Sequence, residues 1–190
     1  MAAIWGIINR NPKNESSDAE KLFTKMGNSM SGFPIDRIDT VNCTTGFFAC
    51  GHQYLTNEDQ SDVSPITDND SQVIFCSDCF LYNRDYLIKE LNDSSLINAG
   101  DSLLAYNAFK HWGYSFVEKL RGNFSFAIYE INTGCLHLFT DHLSKQYLTY
   151  SVLSDYIMFS TIYKPILACL DGKEKINREF IINRRIQKWL

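Results

Sequence analysis

The sequence is informative first for what it lacks. None of its apolar runs reaches the roughly 20 residues of a membrane-spanning helix, and no basic segment precedes the apolar start Ile4–Asn9, as a secretory signal would require. Basic residues are not in excess either, because 18 Lys and Arg stand against 22 Asp and Glu, which argues against an electrostatic nucleic-acid binder. We therefore expect a cytoplasmic protein that binds neither nucleic acid nor membranes.

The remaining composition is that of an ordinary globular domain. The 190 residues are 45% hydrophobic and 21% charged, and a chain of this length buries roughly 70% of its unfolded surface without help from a disulfide or metal. In the cytoplasm the six cysteines are expected to be reduced. Cys76-Ser77-Asp78-Cys79 could be half of a zinc site or a redox pair. No second such pair exists, so we favour small residues in and just after a buried strand.

Hydrophobic periodicity predicts an α+β domain. Apolar runs and alternation predict strands at Ile4–Asn9, within Thr44–Leu55 and at Val73–Cys76, followed by two later hairpins. Apolar residues three and four apart predict several helices. The predicted helices begin near Ser17, Arg84, Asp101 and Phe116, and the predicted hairpins cover Asn123–Thr140 and Gln146–Thr161. The polar stretch Thr56–Gln72 is predicted to be an exposed loop.

The last residues differ in pattern from the rest. Lys173–Leu190 mixes apolar and basic residues, and Asn177 could cap a helix for which no stop signal follows. A natural terminus can fray in this way, or a second domain can follow. We expect the second: residues 1–170 form one domain, and residues 171–190 form a connector helix.

Several motifs along the chain, taken together and in order, resemble one family. They are Ile4-Trp5-Gly6-Ile7, Gly51-His52, Leu81-Tyr82-Asn83-Arg84, Gly100-Asp101, Trp112-Gly113, Leu120-Arg121-Gly122-Asn123-Phe124-Ser125-Phe126-Ala127-Ile128-Tyr129, Asp141-His142-Leu143 and Phe159-Ser160-Thr161. This series resembles the N-terminal glutaminase domain of asparagine synthetase, a class II glutamine amidotransferase. The resemblance covers roughly Ile4 to Leu170, and the block from Leu120 to Tyr129 is its most specific part.

The resemblance implies an N-terminal-nucleophile (Ntn) hydrolase fold, in which two antiparallel sheets are sandwiched between layers of helix. It also implies a C-terminal ATP-dependent synthetase domain as the partner of this one. A homodimer is expected separately, because exposed domain-facing surface can promote self-association. In the family, glutamine is hydrolysed in the N-terminal domain, and ammonia travels to an aspartyl-adenylate in the second domain. ATP and magnesium are therefore expected only there, and no cofactor or metal is expected in this domain.

The residues that the family uses for catalysis can be compared one by one. The family has a cysteine directly after the initiator Met, and the free amine of that cysteine activates its own thiol. Here that position is Ala2, which has no nucleophile. The family's Gly-His-x-Arg-Leu pattern places an arginine for the substrate carboxylate, and Tyr54 stands there instead. A tyrosine hydroxyl cannot form the charged bidentate contact of an arginine.

A third departure lies before Leu81-Tyr82-Asn83. The family has Asn-Gly-Glu there for the oxyanion hole and the substrate ammonium, whereas this chain has Ser77-Asp78-Cys79-Phe80. An ionised Asp78 offers only acceptors and would repel an oxyanion. Of the usual substrate contacts only Asp101 matches, and an acidic residue in the first turn of a helix explains it equally well. No catalytic residue is predicted, and Asp101 is the one candidate for substrate binding.

The sequence therefore predicts a domain of an asparagine-synthetase-family ligase without glutaminase activity of its own. An engineered Cys-to-Ala change would explain Ala2 alone, but not Tyr54 or Asp78–Phe80. Loss at three places resembles the amidotransferase-like domains of β-lactam synthetase and lasso-peptide cyclases, which are structural. The alternative is a free-standing interaction or ligand-sensing module that uses the old cleft.

Overall fold

Two antiparallel sheets form the centre of the protein in the computed structural model, which describes residues 2–11, 16–55 and 58–170. The strands in these residues are β1 (Ala2–Asn9), β2 (Arg37–Cys43), β3 (Gly46–His52), β4 (Ile66–Asp68), β5 (Val73–Leu81), β6 (Gly122–Glu130), β7 (Cys135–Thr140), β8 (Thr149–Val152) and β9 (Tyr156–Ser160). The helices are α1 (Ser16–Asn28), α2 (Arg84–Leu91), α3 (Asp101–Trp112), α4 (Phe116–Lys119) and α5 (Tyr163–Cys169). Short 3₁₀ segments cover Glu58–Ser61, Ser94–Asn98 and Gly113–Ser115.

The strand order explains how the chain ends up with two facing sheets. One sheet has the order β2-β3-β1-β9-β8, and the other has the order β4-β5-β6-β7. Every pairing is antiparallel. The apolar strand β1 lies in the middle of the first sheet, so residues 3–8 are buried on both faces. This position is what a continuous apolar run such as that of β1 predicts.

Three apolar clusters define four layers. Ile4, Phe48 and Ile74 belong to the cluster between the two sheets. A second cluster joins β1 to α1 and α5 on the outer face of the first sheet. The third and largest joins β5 and β6 to α2, α3 and α4 on the outer face of the second sheet. The molecule is therefore an α+β sandwich of helices, sheet, sheet and helices, as the sequence predicts.

The predicted elements are largely confirmed, with four corrections. The helix from Ser17 and the helices over Arg84–Leu91 and Asp101–Trp112 are present. The strand pair expected within Thr44–Leu55 instead joins β2 to β3 across a turn at residues 44–45. The segment Thr56–Gln72, expected to be loop, contains β4, which pairs with β5. Strand β5 extends past Cys76 because its pairing with β6 continues to Leu81. Helix α5 is present although the sequence analysis predicts no helix there.

Two further expectations concern the cysteines and the chain end. Cys76 lies in the cluster between the sheets, whereas Cys79 packs toward the helices on the other face of β5. Because their side chains point to opposite faces, the two thiols do not form a chelating pair, and the structural interpretation of this motif holds. The predicted connector helix at residues 171–190 lies outside the described residues. Within them, no helix combines the length and apolarity that crossing a membrane demands.

Candidate functional site

A cleft of about 470 Å³ opens where the start of β1, the end of β5 and the start of α3 come together. Ala2 lines it from the first sheet, Ser77 and Cys79 line it from β5, and Asp101 and Ser102 line it from α3. Its volume is within the range of small-molecule sites in proteins. The sheet sandwich brings together residues that are about 75 and 100 positions apart in the chain. The cleft is thus the place where the sequence motifs around Ala2, Asp78 and Asp101 meet.

The backbone at Ala2 is bonded to the opposite sheet. The Ala2 N–H donates to Oδ1 of Asp78 at 2.9 Å, and the Gln146 side-chain amide donates to Oδ2 of Asp78 at 2.6 Å. Asp78 is only 3% exposed. Burial raises the pKa of this carboxyl to about 6, even though the donors Ala2 and Gln146 act in the opposite direction. The place next to Ala2 is therefore occupied by an acidic group and not by a hydrogen-bond donor.

A second carboxylate, Asp62, holds the start of α3. Ser102 donates to it twice, from its backbone N–H at 3.2 Å and from its hydroxyl at 2.7 Å, and the Val63 N–H donates at 3.1 Å. These bonds satisfy donors that a helix N-terminus otherwise leaves free. Burial raises the pKa of the Asp62 carboxyl, and the bonds from Ser102 oppose that rise. Gly100 permits the approach, because a Cβ there would lie 2.1 Å from Oδ1 of Asp62.

Asp101, the predicted substrate contact, lines the cleft but already has partners within the protein. Its Oδ2 accepts the Leu81 N–H at 2.7 Å, and its Oδ1 forms an ion pair with Nη1 of Arg84. The same guanidinium donates through Nη2 to the carbonyl of Ala99 at 2.6 Å. Asp101 and Arg84 thus neutralise each other at the wall of the cleft. A role for Asp101 in binding substrate stays a prediction.

Tyr54 is not among the described residues that line the cleft. Its backbone N–H donates to Asp36 at 2.8 Å, and the Arg37 guanidinium lies 5.8 Å from the centre of its ring. Arg37 itself is bonded to Asp39 at 2.9 Å and to the carbonyls of residues 60 and 62 at 3.1 and 2.7 Å. Arg37 therefore fixes the segment that carries Asp62 and is not free to meet a carboxylate in the cleft.

The floor of the cleft carries a thiol and a hydroxyl. Burial raises the pKa of the Cys79 thiol well above its usual value, and Asp62, Asp101 and Asp78 add to the rise. This thiol is therefore not an activated nucleophile. The Ser77 hydroxyl is fully buried, and no partner for it lies within hydrogen-bond distance among the described residues.

The four histidines do not converge on the cleft. His52 is buried and lines it, but its Nε2 faces the Ser64 carbonyl at 3.0 Å and Asp39 at 3.1 Å. His111 and His142 are exposed, and His137 lies against Glu130 at 3.5 Å. Within residues 2–11, 16–55 and 58–170, no group of His, Cys, Asp or Glu could hold a metal ion.

Sequence reasoning missed three residues that shape the site: Asp62, Arg84 in its pairing with Asp101, and Gln146. Asp62 lies in the segment that is predicted to be a loop, and Arg84 belongs to a motif whose sequence does not indicate a partner for its guanidinium. The ion pair between Arg84 and Asp101 spans 17 residues, and the bond from Gln146 to Asp78 spans 68. The one available signal in the sequence is that Asp62 lies three residues before Pro65. This signal is too weak to identify a site.

Comparisons with known proteins agree with this geometry. A sequence profile of the glutamine amidotransferase domain matches residues 52–168, more than half of the chain. The chain is similar to the amidase chyE of Penicillium rubens, with 27% identity over 105 residues, which is 55% of this chain and 16% of that protein. The chain thus spans about a sixth of the length of that curated relative.

Solved structures show the same fold at lower sequence identity. The chain is similar to the glutamine phosphoribosylpyrophosphate amidotransferase of B. subtilis in complex with ADP and GMP, with a TM-score of 0.65. The two are 14% identical, and the match covers 88% of this chain and 43% of the B. subtilis chain. It resembles equally an allosteric regulatory enzyme of purine biosynthesis, with a TM-score of 0.64 and 14% identity over the same shares. The two-sheet sandwich, the cleft at the start of β1 and the profile match together establish that the chain belongs to the glutamine amidotransferase domain family and has the Ntn-hydrolase type of fold.

Proposed function

We propose that this domain is the amidotransferase-like part of an asparagine-synthetase-family ligase and that it does not hydrolyse glutamine itself. The observation that carries the proposal is the contact between Ala2 and Asp78. Where the family is expected to have a thiol beside hydrogen-bond donors, this chain has a methyl group beside a buried carboxylate. The methyl group cannot attack an amide, and an ionised carboxylate, which has only acceptors, would repel the oxyanion that such an attack would create.

The size of the expected loss can be worked out from each missing group. Removing the nucleophile of a well-studied hydrolase lowers turnover by about 10⁶, and removing one oxyanion donor lowers it by about 10²–10³. The ion pair between Asp101 and Arg84 also leaves less negative charge for a substrate ammonium. These effects together favour a domain that supports another activity without performing the glutaminase step.

The rest of the proposed protein is inferred from the motif series and not from the cleft. In an asparagine-synthetase-family ligase, a C-terminal domain would bind ATP and magnesium and would be the natural partner of this domain, in the cytoplasm. A homodimer is a further expectation, because exposed domain-facing surface can promote self-association. Extending the coding sequence beyond residue 190 tests the proposal, because a Ser-Gly-Gly-x-Asp-Ser signature there would support it and a stop codon would count against it.

The direct biochemical test is ammonia release from glutamine. The purified chain should release no more ammonia than a heat-denatured sample. An Ala2→Cys variant should also stay inactive, because Asp78 still faces the thiol. A variant that combines Ala2→Cys with Asp78→Asn, Cys79→Gly and Phe80→Glu is the matched comparison, and it should regain measurable turnover. Ammonia release by the unmodified chain would overturn the proposal.

A second candidate function is a free-standing ligand-binding module, and one observation favours it. The cleft keeps a volume of about 470 Å³, which is within the range of small-molecule sites in proteins. A free-standing module needs no synthetase domain, whereas the ligase requires one after residue 190. The same coding sequence therefore separates the two candidates.

A further inference from the structure

The cleft has a composition that favours a ligand different from glutamine. We propose that it binds a small primary amine, an ammonium group on an apolar body that carries no carboxylate. The proposal rests on the proposed function, because a cleft that still processed glutamine would have to accept an α-amino acid. It depends on three features: an unpartnered hydroxyl, an excess of carboxylates and apolar walls.

The unpartnered hydroxyl belongs to Ser77. Its side chain is fully buried and lines the cleft, while its backbone N–H is already bonded to the Ser64 hydroxyl at 3.0 Å. No partner for Oγ lies within reach among the described residues. Buried polar groups in native proteins nearly always have a hydrogen-bond partner. A ligand atom in the cleft would supply the missing one, and an ammonium group, which has three donors, suits the hydroxyl lone pairs.

The charge around the Ser77 hydroxyl favours a cation. Two carboxylates, those of Asp62 and Asp101, line the cleft beside Ser77. Arg84 is the one lysine or arginine side chain among the described residues that line the cleft, and Asp101 already binds it. The bonds described for Asp62 come from neutral donors of Ser102 and Val63. None of these contacts comes from a lysine or arginine, so Asp62 is the acidic side chain of the lining that a ligand cation can pair with.

The same charges disfavour a ligand carboxylate. The arginine nearest to Tyr54 is Arg37, whose guanidinium is committed to Asp39 and to the carbonyls of residues 60 and 62. Among the described side chains that line the cleft, a ligand carboxylate would face Asp62 and Asp101, and the one guanidinium there, that of Arg84, is already paired. The rest of the lining is apolar and would surround an aliphatic or aromatic body; it consists of Ala2, Phe80, Leu81, Ile97 and Ala99.

Binding of matched probes to the full 190-residue chain tests the proposal. The probes are n-pentylamine, n-pentanol, hexanoate and norleucine, and norleucine is pentylamine with a carboxylate on the first carbon. Calorimetry or ligand-observed NMR near neutral pH should show that pentylamine binds. The affinity of each other probe should be at least about tenfold weaker, because one charge-assisted hydrogen bond accounts for a difference of that size. Equal binding of pentanol or norleucine, or no binding of pentylamine, would overturn the proposal.

Two variants locate the binding. Ser77→Ala removes a hydroxyl that has no partner within the described protein, so the chain should fold normally and bind pentylamine about tenfold more weakly. Asp62→Asn should weaken binding similarly, with thermal unfolding measured alongside because Asp62 also holds the start of α3. Asp70→Asn, an exposed acidic residue in the turn after β4, is the matched control and should bind as the unmodified chain does.

If both cleft variants bind pentylamine as tightly as the control, the ligand is not in this cleft and the proposal is wrong. Ammonia release from glutamine is measured in parallel on the same samples. Ammonia release would overturn the proposed function, whereas a failure to bind pentylamine without ammonia release would overturn only the amine proposal. The two failures can therefore be told apart.

Discussion

Replacing Asp78 by asparagine should stabilise the protein, and the gain should depend on pH. The Asp78 carboxyl is buried between the two sheets, and burial raises its pKa from the ordinary value of 3.8 to about 6. Asparagine keeps an oxygen to accept the Ala2 N–H, and its amide can bond to Gln146 once the Gln146 amide turns over. The substitution therefore removes a buried charge while it keeps both contacts.

The magnitude is set by the two pKa values. Below about pH 3 the carboxyl is protonated in the folded and the unfolded protein, so it does not affect stability. Between about pH 4 and 6 only the folded state still holds the proton, so stability falls as the pH rises, and above pH 6 the loss is complete. A change from 3.8 to about 6 corresponds to about 3 kcal/mol. Asp78→Asn should escape this loss.

Urea unfolding followed by tryptophan fluorescence measures the effect, because Trp5 is buried beneath α1 in the first sheet. The difference in free energy of unfolding between Asp78→Asn and the unmodified chain should grow by about 3 kcal/mol from pH 3 to pH 7.5. The control Asp70→Asn should show a nearly constant difference. A difference for Asp78→Asn that does not change with pH would refute the reasoning about its burial.

Two further predictions concern backbone packing and thiol exposure. Gly100→Ala should destabilise the protein by about 1–3 kcal/mol, because the new methyl group would overlap Asp62. Gly27→Ala in α1 has room for its methyl group and should stabilise the protein by about 0.5–1 kcal/mol. Thermal unfolding measures both changes, and a loss of similar size at both sites would contradict the reasoning. Cys135 is exposed and should react with a thiol reagent in the folded protein, whereas Cys50, buried and with its pKa raised by burial, should react only after unfolding. Mass spectrometry of the modified peptides checks this, and early labelling of Cys50 would contradict it.

The sequence predicted those elements whose own residues carry a clear period. In α3 the apolar residues recur at helical spacing, and the observed helix, Asp101–Trp112, begins at the predicted residue. Strand β2 was missed because it is an edge strand with alternating exposure and polar residues. Strand β4 has only three residues and owes its conformation to pairing with β5. Such strands are determined by their neighbours and not by local pattern.

The site was predictable where a motif fixes a position and not where the fold creates a contact. Ala2 and Asp101 were identified from the sequence, and both line the cleft. The pairing of Asp101 with Arg84 and the bonds of Asp62 to Ser102 depend on how a loop and a helix approach each other. No periodicity or spacing encodes a contact between residues 40 positions apart.

The bonds between Asp62 and Ser102 also bear on how the cleft can respond to a ligand. They fasten one wall of the cleft to the first turn of the 12-residue helix on the other wall. Widening the cleft on that side would break both bonds and expose free helix donors, so the opening is held at a set width. A ligand that fits meets a preorganised surface, and its affinity is not reduced by the ordering of mobile segments. A ligand wide enough to push the start of α3 away from Asp62 would have to break those bonds, so the helix start penalises bulkier ligands.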